Sequence, residues 1–149
     1  MDIELVDLRP GDGGSLQPIL FDDTAGFNPD WWPRRSLRSP HPWFVQAFVG
    51  GDEVARVQLE EKVWLEAYTG NDQLNDSALK IQLLEVSQPV RRRGIGVSVV
   101  EALAERHPHR RLVAFSENAD PFWSSLGWER YNHLSKKGCQ PLFIQPARS

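Results

Sequence analysis

Residues Gln88 to Ala104 read QPVRRRGIGVSVVEALA. Three arginines, Arg91, Arg92 and Arg93, stand directly before Gly94-Ile95-Gly96, and an apolar run with polar interruptions follows. That order suits an anion. The first N–H groups of a helix lack intrahelical partners and carry partial positive charge. A glycine lets a phosphate approach the backbone because no Cβ stands in the way. Gly94 and Gly96 supply that access, and the arginines add charge. The same residues also make a tight strand-to-helix turn with solvated arginines, and three consecutive arginines cannot all face one ligand. Two nucleotide signatures are excluded. There is no G-x-x-x-x-G-K-S/T, and Val99 stands where the third glycine of G-x-G-x-x-G belongs. The residues alone point to a phosphate-bearing ligand and no further.

The rest of the chain bounds the reading. Its 149 residues suit a single domain, 1–149, with a core of its own. Hydrophobic residues at 40% and charged residues at 25% are those of an ordinary globular protein. A formal net charge of −3 does not suit a nucleic-acid partner. The one cysteine, Cys139, excludes an internal disulfide and a cysteine-based metal cluster. His107 and His109 flank Pro108, a loop pattern rather than a ligand pair, so no metal is expected. No apolar run approaches the roughly 20 residues of a membrane span, and the acidic, alternating start MDIELVDLRP is not a signal peptide. A cytoplasmic location without a membrane partner is the expectation, and a homodimer is left open.

The elements that must position the loop follow from pattern. IELVDLRPGD reads as a first strand ending at Arg9-Pro10-Gly11. The segment from Ser15 to Pro40 holds one or two short helices broken by Pro18, Pro29 and Pro33. Phe44–Val49 and Val54–Glu60 form a hairpin around Gly50-Gly51 and Asp52. In its second strand, Val57 and Leu59 alternate with Arg56, Gln58 and Glu60, the pattern of a half-buried strand. TGNDQLNDS is a polar connection, and ALKIQLLEVS is an apolar strand leading straight into the basic loop. Gly94–Arg106 follows as a helix with Ile95, Val99, Ala102 and Leu103 on its apolar face, ended by His107-Pro108. RRLVAFS is a buried strand. Asp120 is placed as N-cap with Pro121 at the first helical position, and Gly127 closes that short helix. WERYNHL and QPLFIQP complete the set. The order β-α-β-β-β-α-β-α-β-β gives an α+β, or mixed α/β, domain around one sheet.

Arg91-x-x-Gly94-x-Gly96, after a strand carrying Leu84-Glu85-Val86, resembles the acetyl-CoA signature Gln/Arg-x-x-Gly-x-Gly/Ala of the GCN5-related N-acetyltransferases (GNAT). The five-residue step from Val86 to Arg91 is the family's. Downstream, DPFWSSLGW is similar to the family's xxFYxxxGF, with Trp123 in place of tyrosine and Trp128 in place of the last phenylalanine. The detailed resemblance covers about Ile81 to Tyr131; the first 80 residues match only in topology. It implies the GNAT fold, one mixed central sheet flanked by helices, and acetyl-CoA as cosubstrate with an amine as acceptor.

The resemblance also implies roles. Backbone groups of Leu84, Glu85 and Val86 would pair with the pantetheine arm as with an added strand. Amides from Arg92 to Val97, namely Arg92, Arg93, Gly94, Ile95, Gly96 and Val97, would hold the pyrophosphate, with Arg91 beside it. Asn118 would lie near the cofactor arm, or serve as a turn residue. Acetyl transfer needs alignment, a polarised thioester carbonyl and a neutral attacking amine. A backbone N–H near Val86 would serve the carbonyl. Glu60, Glu61 and Glu85 are the candidate bases, each also readable as a surface or salt-bridging carboxylate. Glu85 points away from Leu84 and Val86 unless a bulge intervenes. Trp123 departs from the pattern, because an indole N–H cannot protonate a leaving thiolate. Tyr131 or water must then supply that proton, or turnover is lost. Trp31, Trp32, Arg34, Arg35, Arg38 and Trp43 would border the acceptor, or simply pack the loop. The expectation is an acetyl-CoA-dependent N-acetyltransferase with an unassigned amine acceptor; the alternative is a degenerate fold that binds CoA or a protein without turnover.

Overall fold

The computed structural model describes residues 2–9, 21, 26–32 and 41–147. Its strands are β1 (Glu4–Leu8), β2 (Trp43–Val49), β3 (Asp52–Glu60), β4 (Ala78–Val86), β5 (Arg111–Phe115), β6 (Glu129–Tyr131) and β7 (Leu142–Ile144). Its helices are α1 (Glu66–Thr69), α2 (Ile95–Arg106) and α3 (Asp120–Ser125), with a 3-10 turn at Gln88–Val90. Among the described residues the seven strands form one mixed sheet in the order β1-β2-β3-β4-β5-β7-β6. Arg34, Arg35, Arg38, Pro10, Pro18 and Pro33 lie outside the described residues, and with them most of the helices expected between Ser15 and Pro40. The chain divides into two compact units, Met1–Leu59 with Leu83–Leu103, and Glu60–Gln82 with Ala104–Ser149.

The first unit is built on the β1-β2-β3 meander, in which each neighbour is antiparallel. Gly50 and Gly51 close the β2–β3 hairpin with φ of 58° and 86°. A two-residue turn with both central φ positive matches the right-handed twist of its strands, and glycine adopts it without a Cβ penalty. The register then shifts by one between Ala47 and Phe48, where Ala47 faces Ala55 but Phe48 faces Glu53. Val54 is the extra residue of this bulge.

The bulge has a consequence for charge. Glu53 and Arg56 are three apart, which in a regular strand puts them on opposite faces. The extra residue brings them together. Arg56 donates through Nε and a terminal nitrogen to both Glu53 oxygens, at 3.0 and 2.8 Å, and Gln46 donates to Glu53 at 2.8 Å. Both ions are buried, with side chains 5% exposed. The Arg56 guanidinium lies 4.1 Å from the Phe27 ring centre and 4.6 Å from that of Phe21. Arg56 and Gln58 are therefore buried along with Val57 and Leu59. The expectation of a half-buried β3 is corrected: Arg56 and Gln58 are buried too, and for Arg56 charge pairing takes the place of solvent. Phe27, Trp32 and Phe44 form the aromatic core on this unit, with Phe21, Leu8 and Leu83 packed against it.

In the second unit, Val63, Leu65, Tyr68, Ala78, Val113, Leu142 and Ile144 form the core. The short α1 precedes the polar connection and was not legible as a helix; Gly70, with φ of 82°, ends it, its N–H donating to the Glu66 carbonyl at 2.9 Å. β4 and β5 are parallel and in register only over Ala78–Lys80 and Arg111–Val113. β7 is antiparallel to both β5 and β6 and lies between them. At α3 the cap is Ala119, so Asp120 is the first helical residue and not the N-cap. Its carboxylate instead accepts from Ser116 Oγ at 2.5 Å and pairs with Arg130 at 3.0 Å.

Candidate functional site

The candidate cofactor loop lies wholly in the first unit, and its backbone follows from its sequence. Pro89 enters the 3-10 turn Gln88–Val90, and the chain reaches α2 through two residues of positive φ, Arg92 at 67° and Gly94 at 77°. Glycine takes that conformation freely; for arginine it is uncommon and carries a cost. Nothing lies within 4 Å of a Cβ built on Gly94, so the glycine serves the turn and leaves open space above it. Ile95 starts α2 and is buried with Val99, Val100 and Leu103, while Ala102 is only partly covered. Gly96 and Val97 sit in the first turn of α2, where N–H groups lack intrahelical partners. Arg91, Arg92, Arg93 and Gly94 are exposed.

Glu85 and Arg91 are not free of the fold. Glu85 is 6% exposed, and Leu84 and Val86 on either side are partly buried. Its carboxylate accepts the Asn28 N–H on both oxygens at 3.1 Å and the Trp32 indole N–H at 2.8 Å. Arg91 stands 3.6 Å from Glu85 and donates through Nε to the Val86 carbonyl at 2.9 Å. The β4 end is also tied to the bulge, since the Ser87 N–H donates to the Val54 carbonyl at 2.8 Å. Sequence reasoning did not find Asn28, Glu53 or Arg56. An arginine between Ala55 and Val57 was the one available signal of a buried charge.

The remaining candidates belong to the second unit. Asn118 has φ of 59°, a left-handed conformation that asparagine tolerates better than most residues. It lines a cavity of about 630 Å³ with Glu117, Asp120, Cys139 and Gln140. Asn118 is therefore both turn residue and cavity wall. Trp123 is 6% exposed and stacks on Trp128, ring centres 5.0 Å apart at 29°. Glu60 pairs with Lys80 at 3.2 Å, and Glu61 is exposed at the end of β3. Tyr131 packs against the second core and donates its hydroxyl to Glu129 at 3.1 Å.

Burial raises the Tyr131 pKa, and the Glu129 hydrogen bond and charge add to this against a smaller opposing effect of Arg111. Tyr68, whose hydroxyl donates to the Gln140 carbonyl at 2.8 Å, is likewise raised by burial and by nearby Cys139. These are the only two tyrosines. Ultraviolet titration of the native protein will therefore show no tyrosine ionising at the usual value of about 10. The native state holds these protons more tightly than the unfolded chain. Their stabilisation is present in full below about pH 10 and is lost as pH rises through the native values. A normal native midpoint for both would overturn the assignment.

No family model and no curated protein matches the sequence. Solved structures do. An acetyltransferase from Thermus thermophilus superposes with a TM-score of 0.55 at 16% identity, covering 77% of this chain and 70% of that one. The Bacillus subtilis N-acetyltransferase YlbP, solved in complex with coenzyme A, gives 0.54 at 22% identity over 71% and 69%. A protein from Exiguobacterium sp. 255-15, described provisionally as an acetyltransferase, gives 0.51 at 17% identity over 95% and 93%. The chain has the acyl-CoA N-acyltransferase fold of the GNAT family.

Proposed function

We propose that the protein is an acetyl-CoA-dependent N-acetyltransferase acting on an amine of a small molecule or a protein. The observation that carries this reading is the Arg91–Val97 segment. A left-handed turn with a glycine delivers the chain from β4 into the first turn of a twelve-residue helix, with three arginines beside it. Backbone amides and charge so disposed suit a pyrophosphate. The coenzyme A held by the B. subtilis neighbour supports a CoA-type cosubstrate.

In this reading the Leu84–Val86 backbone aligns the pantetheine arm, and the Val86 N–H polarises the thioester carbonyl. The amine nitrogen attacks that carbon; the C–N bond forms and the C–S bond breaks. The amine's proton passes to a carboxylate. Glu60, Glu61 and Glu85 are the candidate acceptors of that proton; Glu60 is paired with Lys80 and Glu85 is held by three hydrogen bonds. The thiolate takes a proton from Tyr131 or from water; a phenol is protonated at neutral pH without any shift, and the raised pKa of Tyr131 makes it the weaker acid of its kind. Trp123 takes the tyrosine position of the related motif.

One observation favours a second reading, a protein that binds CoA without turnover. Trp123 is packed on Trp128 and offers no hydroxyl. The discriminating experiment is a panel of amines screened for acetyl-CoA-dependent thiol release. With an accepted amine, Tyr131→Phe is expected to lower kcat about a hundredfold, in the range of a lost general acid. Trp123→Phe should stay within a few-fold of wild type. CoA binding with no thiol release from any amine would select the second reading.

A further inference from the structure

We infer that Glu85 is a positioning residue, whose buried carboxylate clasps residues 26–32 onto the end of the strand that carries the acetyl donor. The role rests on the acetyltransferase reading; the clasp itself rests on geometry. Residues 26–32 are joined to the β4 exit at two points. At the first, the Gly26 carbonyl accepts the Gln88 N–H at 3.0 Å. Gly26 has φ of 102°, and a Cβ there would lie 2.3 Å from Ser87 Oγ and 2.9 Å from Pro89 Cδ. Only glycine permits so close an approach. At the second, Glu85 takes the Asn28 amide on both oxygens and the Trp32 indole on one. Phe27, between these points, lies under the Arg56 guanidinium, and Trp32 is fully buried between Phe21 and Phe44.

A buried carboxylate with two such donors is well compensated as an anchor and poorly available as a base. To accept a proton from an amine it would have to give up the hydrogen bonds that hold the segment. Its remaining neighbour is Arg91, the first residue of the candidate cofactor loop, at 3.6 Å. One carboxylate thus touches both the segment from 26 to 32 and the loop proposed to receive the phosphates. Trp31, 44% exposed, is carried on this clasped segment and is placed by it.

The test uses the full chain with Glu85→Gln, Glu85→Ala and the milder Trp32→Phe, which removes one donor and keeps a ring. A clasp predicts that Glu85→Ala raises the KM for the amine about tenfold or more, the scale of a lost charge-assisted hydrogen bond. It predicts kcat within a few-fold of wild type and an unchanged pH–rate profile. Glu85→Gln should recover part of the loss, because its amide oxygen still accepts. The Asn28 amide should exchange hydrogen at least tenfold faster than in wild type in Glu85→Ala, and faster by a smaller factor in Glu85→Gln, where one acceptor oxygen replaces two. A fall in kcat of a hundredfold or more, with loss of the acidic limb of the pH profile and the Asn28 amide still protected, would make Glu85 the base and overturn the proposal. So would unchanged Asn28 exchange in Glu85→Gln, which decides the matter even if Glu85→Ala does not fold. Failure of wild type to bind CoA would sink the acetyltransferase reading instead, and the exchange measurement would still decide the clasp.

Discussion

Gly96→Glu is expected to abolish coenzyme A binding in a protein that remains folded. Gly96 lies in the first turn of α2 and is partly covered. A glutamate in the first turn of a helix favours the helix through its dipole, and replacing glycine in a helix removes a propensity penalty of about 1 kcal/mol. The fold should therefore keep its melting temperature to within a few degrees. For a pyrophosphate seated on the same turn, the substitution adds a side chain and a like charge. A unit repulsion at about 4 Å is worth about 1 kcal/mol in water and about 4 kcal/mol near a protein surface, before any steric cost. A loss of affinity of at least a hundredfold follows. Calorimetry should show no binding heat where wild type saturates. A folded variant with unchanged affinity would reduce the Arg91–Val97 segment to a turn.

Glu53→Ala is expected to be among the most destabilising single changes in the first unit. It would leave the buried Arg56 guanidinium without its bidentate partner. Breaking a buried pair from one side costs about 3–5 kcal/mol, since the remaining charge stays desolvated. Replacing both ions, as in Glu53→Leu with Arg56→Met, should cost less than the single change. The rings of Phe27 and Phe21 then lose a cation contact, but no charge is stranded. Urea unfolding of the single and double variants checks the order. A single variant within about 1 kcal/mol of wild type would show that water reaches Arg56.

What was legible in the sequence was local. Gly50-Gly51 declared its hairpin, and Gly94 the turn into α2, because both need a positive φ that few residues accept. The strand before the loop could be read because its signature lies within a dozen residues. Glu85 could be named but its role could not. Its partner Asn28 is 57 residues away, and no pattern pairs a backbone amide with a distant carboxylate. The burial of Arg56 depended on the bulge at Val54, which joins two residues that alternation separates. The N-cap at α3 shifted by one because Asp120 had better partners in Ser116 and Arg130 than in the helix end. Trp123 matched a motif position, yet its stacking on Trp128 depended on a chain reversal at Gly127.

The place of β7 between β5 and β6 sets an order of events during synthesis. The register of β6 is with β7, and β5 meets β7 on its side away from β4. Neither can complete its ladder until Leu142, Phe143 and Ile144 have left the ribosome, and all three are buried once they arrive. A nascent chain halted before residue 142 would expose the apolar edge of β5 and leave β6 without its partner. Exposed strand edges of this kind invite aggregation. Completion of the second unit is therefore a late event, after residues 1–59 and 83–103 are already available to fold.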